Sequence, residues 1–111
     1  MAGEERRRSQ RVVIRVPIIL EITTAEQKLR VSASTVAVNI HGAMVLCERM
    51  FEAGTKLVIR NDRTQESAGA RVTRTPRESS EGFLIPLEFD TPLPMFWQIS
   101  FPPDTWKATD V

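Results

Sequence analysis

Arginines are concentrated at the start of the chain, where their type and spacing suit them to bind phosphate or guanine. The first residues carry Arg6, Arg7, Arg8, Arg11 and Arg15. A planar guanidinium donates paired hydrogen bonds that fit a phosphate or the O6 and N7 atoms of guanine. A flexible arm that folds back could therefore clamp such a ligand with two of these side chains. A solvated basic tail without a ligand would show the same charges.

A polar turn interrupts two apolar segments near the middle of the chain. Residues 39–42 read Asn-Ile-His-Gly. The Asn39 side chain offers both a hydrogen-bond donor and an acceptor, and Gly42 allows a close backbone approach to a ligand or a positive φ. Together with the arginine segment, this turn gives the candidate ligand-binding residues Arg6, Arg7, Arg11, Asn39 and Gly42.

Groups suited to catalysis or metal binding are scarce. His41 is the only histidine, Cys47 is the only cysteine, and the chain has no tyrosine. Both are odd-numbered, so they could share one face of a strand, but a cysteine in an apolar segment is usually a buried, inert thiol. A metal site needs more nitrogen or sulfur ligands than these two residues supply. We therefore expect no enzyme, no metal site and no cofactor.

Composition limits the class of protein. A chain of 111 residues with 41% hydrophobic and 26% charged side chains is expected to form one globular domain. No apolar run approaches the roughly 20 residues of a membrane helix, and the first residues lack the apolar core of a secretory signal. The net charge of +1 argues against a protein that coats nucleic acid. These features predict a cytoplasmic domain that neither inserts into a membrane nor binds a nucleic acid polymer.

The elements that must position the candidate residues show the period of β-strands. From Val12 to Ile22 every even position is apolar, which is typical of a half-buried strand. Pro17 within this segment indicates a sheet edge or a bulge. Arg11 and Arg15 then lie on the outer face of the strand, pointing the same way.

Further short strands and turns follow. The alternation that begins at Leu29 slips by one residue before Val36, which predicts a bulge near Ala33–Ser34. Only residues 48–53 suggest a helical turn, and residues 76–82 have the composition of a loop. The other predicted strands are 43–47, the segment from 57 to a turn at 61–64, 68–72 and 83–89. This pattern predicts an all-β fold, either a sandwich or a small antiparallel barrel.

The closing segment combines aromatic residues with prolines. Pro92 and Pro94 are expected to end the sheet, after which MFWQISFPPDTW contains two tryptophans and two phenylalanines. We expect an ordered strap whose rings pack over an open end of the barrel. The alternative is an exposed docking patch for a protein partner, formed by Met95, Phe96, Trp97, Phe101 and Trp106.

The order of these features resembles the PilZ domain family. The string ERRRSQRVVIRVP precedes the first predicted strand, and the polar turn that ends in Gly42 follows about 25 residues later. The family pattern is an RxxxR element before the first strand and a (D/N)xSxxG element between the second and third strands. This resemblance extends from Glu5 to about Phe89, and it implies a six-stranded antiparallel β-barrel that binds the bacterial second messenger cyclic di-GMP.

The arginine element of this pattern is complete. Arg7 and Arg11 are its two ends, and Arg6 is the first arginine of a commonly doubled pair. The resemblance implies that these side chains hold the guanine and phosphate groups of an intercalated cyclic di-GMP dimer.

The second element is degenerate and can be aligned in two ways. With Gly42 as the motif glycine, Asn39 replaces the serine and Ala37 replaces the acid or amide. With Asn39 as the first motif residue, His41 replaces the serine and Met44 replaces the glycine. We prefer the first alignment because methionine cannot meet the backbone requirement of a glycine.

These features predict three segments: a flexible arginine-rich arm over residues 1–11, a barrel over 12–90 and a strap over 91–111. The resemblance implies a receptor module whose arm becomes ordered when cyclic di-GMP binds and then engages an unidentified protein partner. The alternative is a degenerate domain that binds a protein without any nucleotide.

Overall fold

Seven β-strands run through residues 11–99, the part of the chain that this computed structural model describes. They are β1 (Pro17–Thr23), β2 (Lys28–Asn39), β3 (Gly42–Cys47), β4 (Lys56–Asn61), β5 (Ser67–Val72), β6 (Arg77–Ser79) and β7 (Gly82–Phe89). No helix occurs in this part of the chain, so the expected helical turn over residues 48–53 is wrong. None of the described segments could cross a membrane as a helix, since none is a long apolar helix.

The strands close into a barrel. The order β3-β2-β1-β4-β5-β7 is completed by a pairing between β3 and β7, and every pairing is antiparallel. The prediction of a six-stranded antiparallel barrel is confirmed. The extra strand β6 forms a hairpin with β7, so the expectation of a loop over residues 76–82 is wrong. Strands β5 and β6 pair with successive parts of the same edge of β7.

The alternation at the start of the chain places one side of the segment in the core. Val16, Ile18 and Leu20 are fully buried, as their even positions predict. Regular pairing begins only at Pro17, however, and the preceding residues contribute one isolated bridge between Val12 and Val38. Proline is tolerated as the first residue of a strand, because its missing N–H removes no hydrogen bond inside the sheet.

The bulge in β2 lies further along the strand than expected. The pairing of β2 with β3 shifts between Thr35 and Ala37 rather than near Ala33–Ser34. The side chain of Thr35 points into the barrel although it is polar, because its hydroxyl group forms hydrogen bonds there. Its Oγ1 accepts a hydrogen bond from the Val16 N–H at 2.8 Å and donates one to the Ile14 carbonyl at 2.7 Å.

The segment after β7 covers one end of the barrel. Phe96 and Trp97 are buried and pack on Phe89, with ring centroids 5.0 and 5.9 Å from the Phe89 ring. The side-chain amide of buried Asn61 donates a hydrogen bond to the Phe96 carbonyl at 2.9 Å. The expected aromatic strap is therefore present up to residue 99, and its two described large rings form a cap. Phe101, Trp106 and the rest of the strap lie outside the described residues.

Candidate functional site

A groove of about 400 Å³ lies where the end of β2, the start of β3 and the end of β7 meet. The segment that leaves β5 and the residue at the start of the described chain complete its walls. The lining residues used below are Arg11, Ala37, Asn39, Gly42, Arg74 and Glu88. The groove thus contains every candidate binding residue that the structure describes, and Arg6 and Arg7 lie outside the described residues.

Arg11 reaches the groove because the start of the chain docks on β2. The neighbouring residue Val12 exchanges two backbone hydrogen bonds with Val38, each 2.9 Å long. Val38 points into the core, so the flanking residues Ala37 and Asn39 belong to the outer side of β2. The bridge therefore sets Arg11 beside the outer surface of the strand that carries Asn39.

Asn39 shapes the turn between β2 and β3. Its Oδ1 atom accepts hydrogen bonds from the backbone N–H groups of His41 and Gly42, at 2.8 and 3.0 Å. Its backbone carbonyl accepts a third hydrogen bond from Trp97 Nε1 at 3.0 Å. The amide oxygen is engaged within the turn, so the Nδ2 group is what Asn39 offers a ligand. From the sequence alone, this side chain is expected to offer both a donor and an acceptor.

Gly42 is required by the approach of β7 and not by an unusual φ. A Cβ atom on Gly42 would lie 2.0 Å from the Leu87 carbonyl oxygen. The φ angle of Gly42 is not in the positive region that favours glycine. Met44 pairs with Ala37 on one side and Pro86 on the other, and its side chain is accommodated there. The position that excludes a side chain is thus Gly42, which agrees with the preferred alignment of the second element.

Two charged residues of the groove were missed by sequence reasoning. Arg74 follows β5, and Glu88 lies near the end of β7. The alternation of the strand at 83–89 does place Glu88 on the outer side. What brings it to the candidate site is its pairing with Gly42, which is a register that the sequence does not reveal.

The charges of the groove favour an anion. Arg11 and Arg74 line it, and the carboxylate of Glu88 forms an ion pair with Arg71 at 2.9 Å. The two guanidinium groups provide donors for phosphate oxygens, and guanidinium planes also stack on bases. The arrangement can bind a phosphorylated, planar ligand.

A Cys–His catalytic pair is excluded by the position of the two residues. His41 lies in the turn before β3, whereas Cys47 is the last residue of that strand and is buried in the core. Strand residues rise about 3.3 Å each, so the two residues are far apart. Burial raises the pKa of the Cys47 thiol above its ordinary value. Within residues 11–99, no three histidine, cysteine or carboxylate side chains cluster to hold a metal.

Cys47 is expected to be unreactive in the folded protein. The residue is 2% exposed, and burial raises the pKa of its thiol, which lowers the fraction of the reactive thiolate. Modification by a chromogenic disulfide reagent should be at least on the order of 100-fold slower than in the urea-unfolded chain, because it requires local opening. Equal rates in the two states would contradict this burial.

Comparisons with known proteins add no relative. No protein-family model, curated protein or solved structure matches this chain. The groove and the residue pattern of the chain itself are therefore what indicate its function.

Proposed function

We propose that this barrel is a PilZ-like receptor module for cyclic di-GMP, acting in the bacterial cytoplasm and without catalytic activity. The observation that supports it is the meeting of Arg11 with Asn39 and Gly42 in one groove. These residues come from the two sequence elements whose order resembles the PilZ pattern, and they are separated by almost 30 positions in the chain.

The chemistry of the groove suits a cyclic dinucleotide. Its volume falls within the roughly 300–1,000 Å³ typical of small-molecule sites. Arg11 and Arg74 supply guanidinium donors for phosphates and for the O6 and N7 atoms of guanine. Ala37 and Gly42 have little or no side chain, so a flat base can approach the strands closely.

Signalling would follow from ordering of the arginine-rich arm. Like charges on Arg6, Arg7 and Arg8 repel one another until phosphates neutralise them, so ligand binding favours a compact arm. Ordering of a segment is a common form of molecular switch. An unidentified protein partner would then recognise the surface formed by the ordered arm and the barrel.

The main test is calorimetric titration of cyclic di-GMP into the folded protein. We expect low-micromolar binding that Arg11→Ala weakens about 10- to 100-fold, since charge-assisted hydrogen bonds are lost. Arg15→Ala is the matched control, because Arg15 is exposed in the same segment but does not line the groove. Equal affinity of the Arg11→Ala and wild-type proteins would contradict the proposed site.

The second candidate function is a protein-binding module without nucleotide. It is favoured by Ala37, which brings no polar group to the position where the PilZ pattern has an acid or amide. Phe96 and Trp97 are buried in the cap, so such a surface would have to use other residues, among them the exposed Met95. Absence of any heat from a folded wild-type protein at high cyclic di-GMP concentration would favour this function.

A further inference from the structure

Glu88 lines the groove and belongs to neither of the two sequence elements. In the barrel it pairs with Gly42 on β3 and with Arg71 on β5. Because Gly42 has no side chain, nothing on that neighbouring position screens the Glu88 carboxylate from the groove. The two residues lie directly across from each other, so a ligand held by the Asn39–Gly42 turn is also beside Glu88.

The Glu88 carboxylate is held in place by one of its two oxygens. Oε1 accepts a hydrogen bond from the Arg71 guanidinium at 2.9 Å. Among the described residues, Oε2 has no hydrogen-bond partner, and the side chain is 41% exposed. Within residues 11–99, Oε2 is therefore an unused acceptor whose direction is restrained by the ion pair.

The Glu88 carboxylate is unexpected in a groove whose two arginines suit a negatively charged ligand. Toward a phosphate it is repulsive, and the Arg71 partner compensates that charge only in part. Toward a group with N–H donors it is attractive, since an ionised carboxylate is an acceptor with several lone pairs. Guanine has such donors at N1 and N2, side by side on one edge.

We propose that Glu88 recognises the N1–H and N2 amino groups of a guanine base, and so makes the site selective for guanine. This inference rests on the proposed binding of cyclic di-GMP. The Glu88 carboxylate on β7 provides a hydrogen-bond acceptor, which the side chain of Ala37 on β2 lacks. Adenine presents an acceptor at N1, which faces the carboxylate unfavourably. Hypoxanthine keeps N1–H but has no N2 amino group.

The test compares two ligands on three proteins. Cyclic di-GMP and cyclic di-IMP, which lacks both N2 amino groups, are titrated into the wild type, Glu88→Gln and Glu21→Gln. Glu21→Gln is the matched control because Glu21 also forms a cross-strand ion pair, with Arg30 at 3.0 Å, and lies outside the groove. The preference for cyclic di-GMP over cyclic di-IMP is the readout, since loss of a merely structural ion pair leaves that ratio unchanged.

We expect the wild type and Glu21→Gln to prefer cyclic di-GMP by about tenfold or more, the discrimination typical of one good hydrogen-bonded pair. In Glu88→Gln the affinity for cyclic di-GMP falls about 10- to 100-fold, and the preference nearly disappears. An unchanged preference in Glu88→Gln overturns the inference and leaves the receptor function standing. Tighter binding by Glu88→Gln also overturns it, because the carboxylate then only repels phosphate. A folded wild type that binds neither ligand overturns the receptor function itself.

Discussion

Gly42→Ala is expected to lower the free energy of unfolding by about 3 kcal/mol, near the upper end for adding one methyl group to a packed site. The new Cβ would lie 2.0 Å from the Leu87 carbonyl oxygen and 2.9 Å from its carbon, both backbone atoms of a strand that closes the barrel. Relief requires moving β7 away from β3. Urea denaturation followed by circular dichroism measures the effect.

Gly69→Ala is the matched control. Gly69 is also a strand glycine without a positive φ, and its added Cβ would meet the Asp90 carboxylate at 2.3 Å. That group is the far end of a flexible side chain, so it can move, and we expect a change below about 1 kcal/mol. If both variants proved equally stable, the close approach of β7 to Gly42 would be refuted.

Thr35→Val is expected to destabilise the protein by about 2–4 kcal/mol, although the two side chains have nearly the same shape. The Thr35 hydroxyl bonds both the Val16 N–H and the Ile14 carbonyl, and the residue is completely buried. Valine removes the hydrogen-bond partner of both backbone groups, and each unsatisfied buried group lowers the free energy of unfolding by about 1–3 kcal/mol. The midpoint of urea unfolding reports the loss.

Thr55→Val shows whether the cost comes from burial. The Thr55 hydroxyl donates one hydrogen bond to the Glu52 carbonyl at 2.6 Å, in an exposed turn where water can replace it. We expect a change within about 0.5 kcal/mol. A Thr35→Val protein as stable as Thr55→Val would show that water or a local shift satisfies the freed groups near Val16.

The fold was readable from the sequence where side chains alternate strictly. The run from Val12 to Ile22 and the large residues at 83–89 identified two barrel strands, because burial of one face leaves a period of two. The alternation did not predict that Thr35 is buried. Its hydroxyl forms hydrogen bonds with backbone groups some 20 residues away in the chain, so a polar residue can lie on the apolar face of the strand. Strand β6 was missed because a short, exposed edge strand buries little and so leaves no hydrophobic pattern.

The site was readable only in part. Arg11, Asn39 and Gly42, which line the candidate groove, were predicted because their types and order resemble a known pattern. Glu88 lies on β7 and Arg74 follows β5, both far along the chain, and only the pairing of β7 with β3 and β5 brings Glu88 to Gly42. A cross-strand register of this kind depends on the whole barrel, so no local property of the sequence reveals it.

The hydrogen bond from Trp97 Nε1 to the Asn39 carbonyl joins residues 58 positions apart, and the bond from Asn61 to Phe96 joins residues 35 apart. Contacts of such long range close large loops of chain. While the protein is being synthesised, the β2–β3 hairpin is translated before its partner Trp97. The turn that carries Asn39 therefore obtains its full set of contacts only after nearly all of the described chain has been translated.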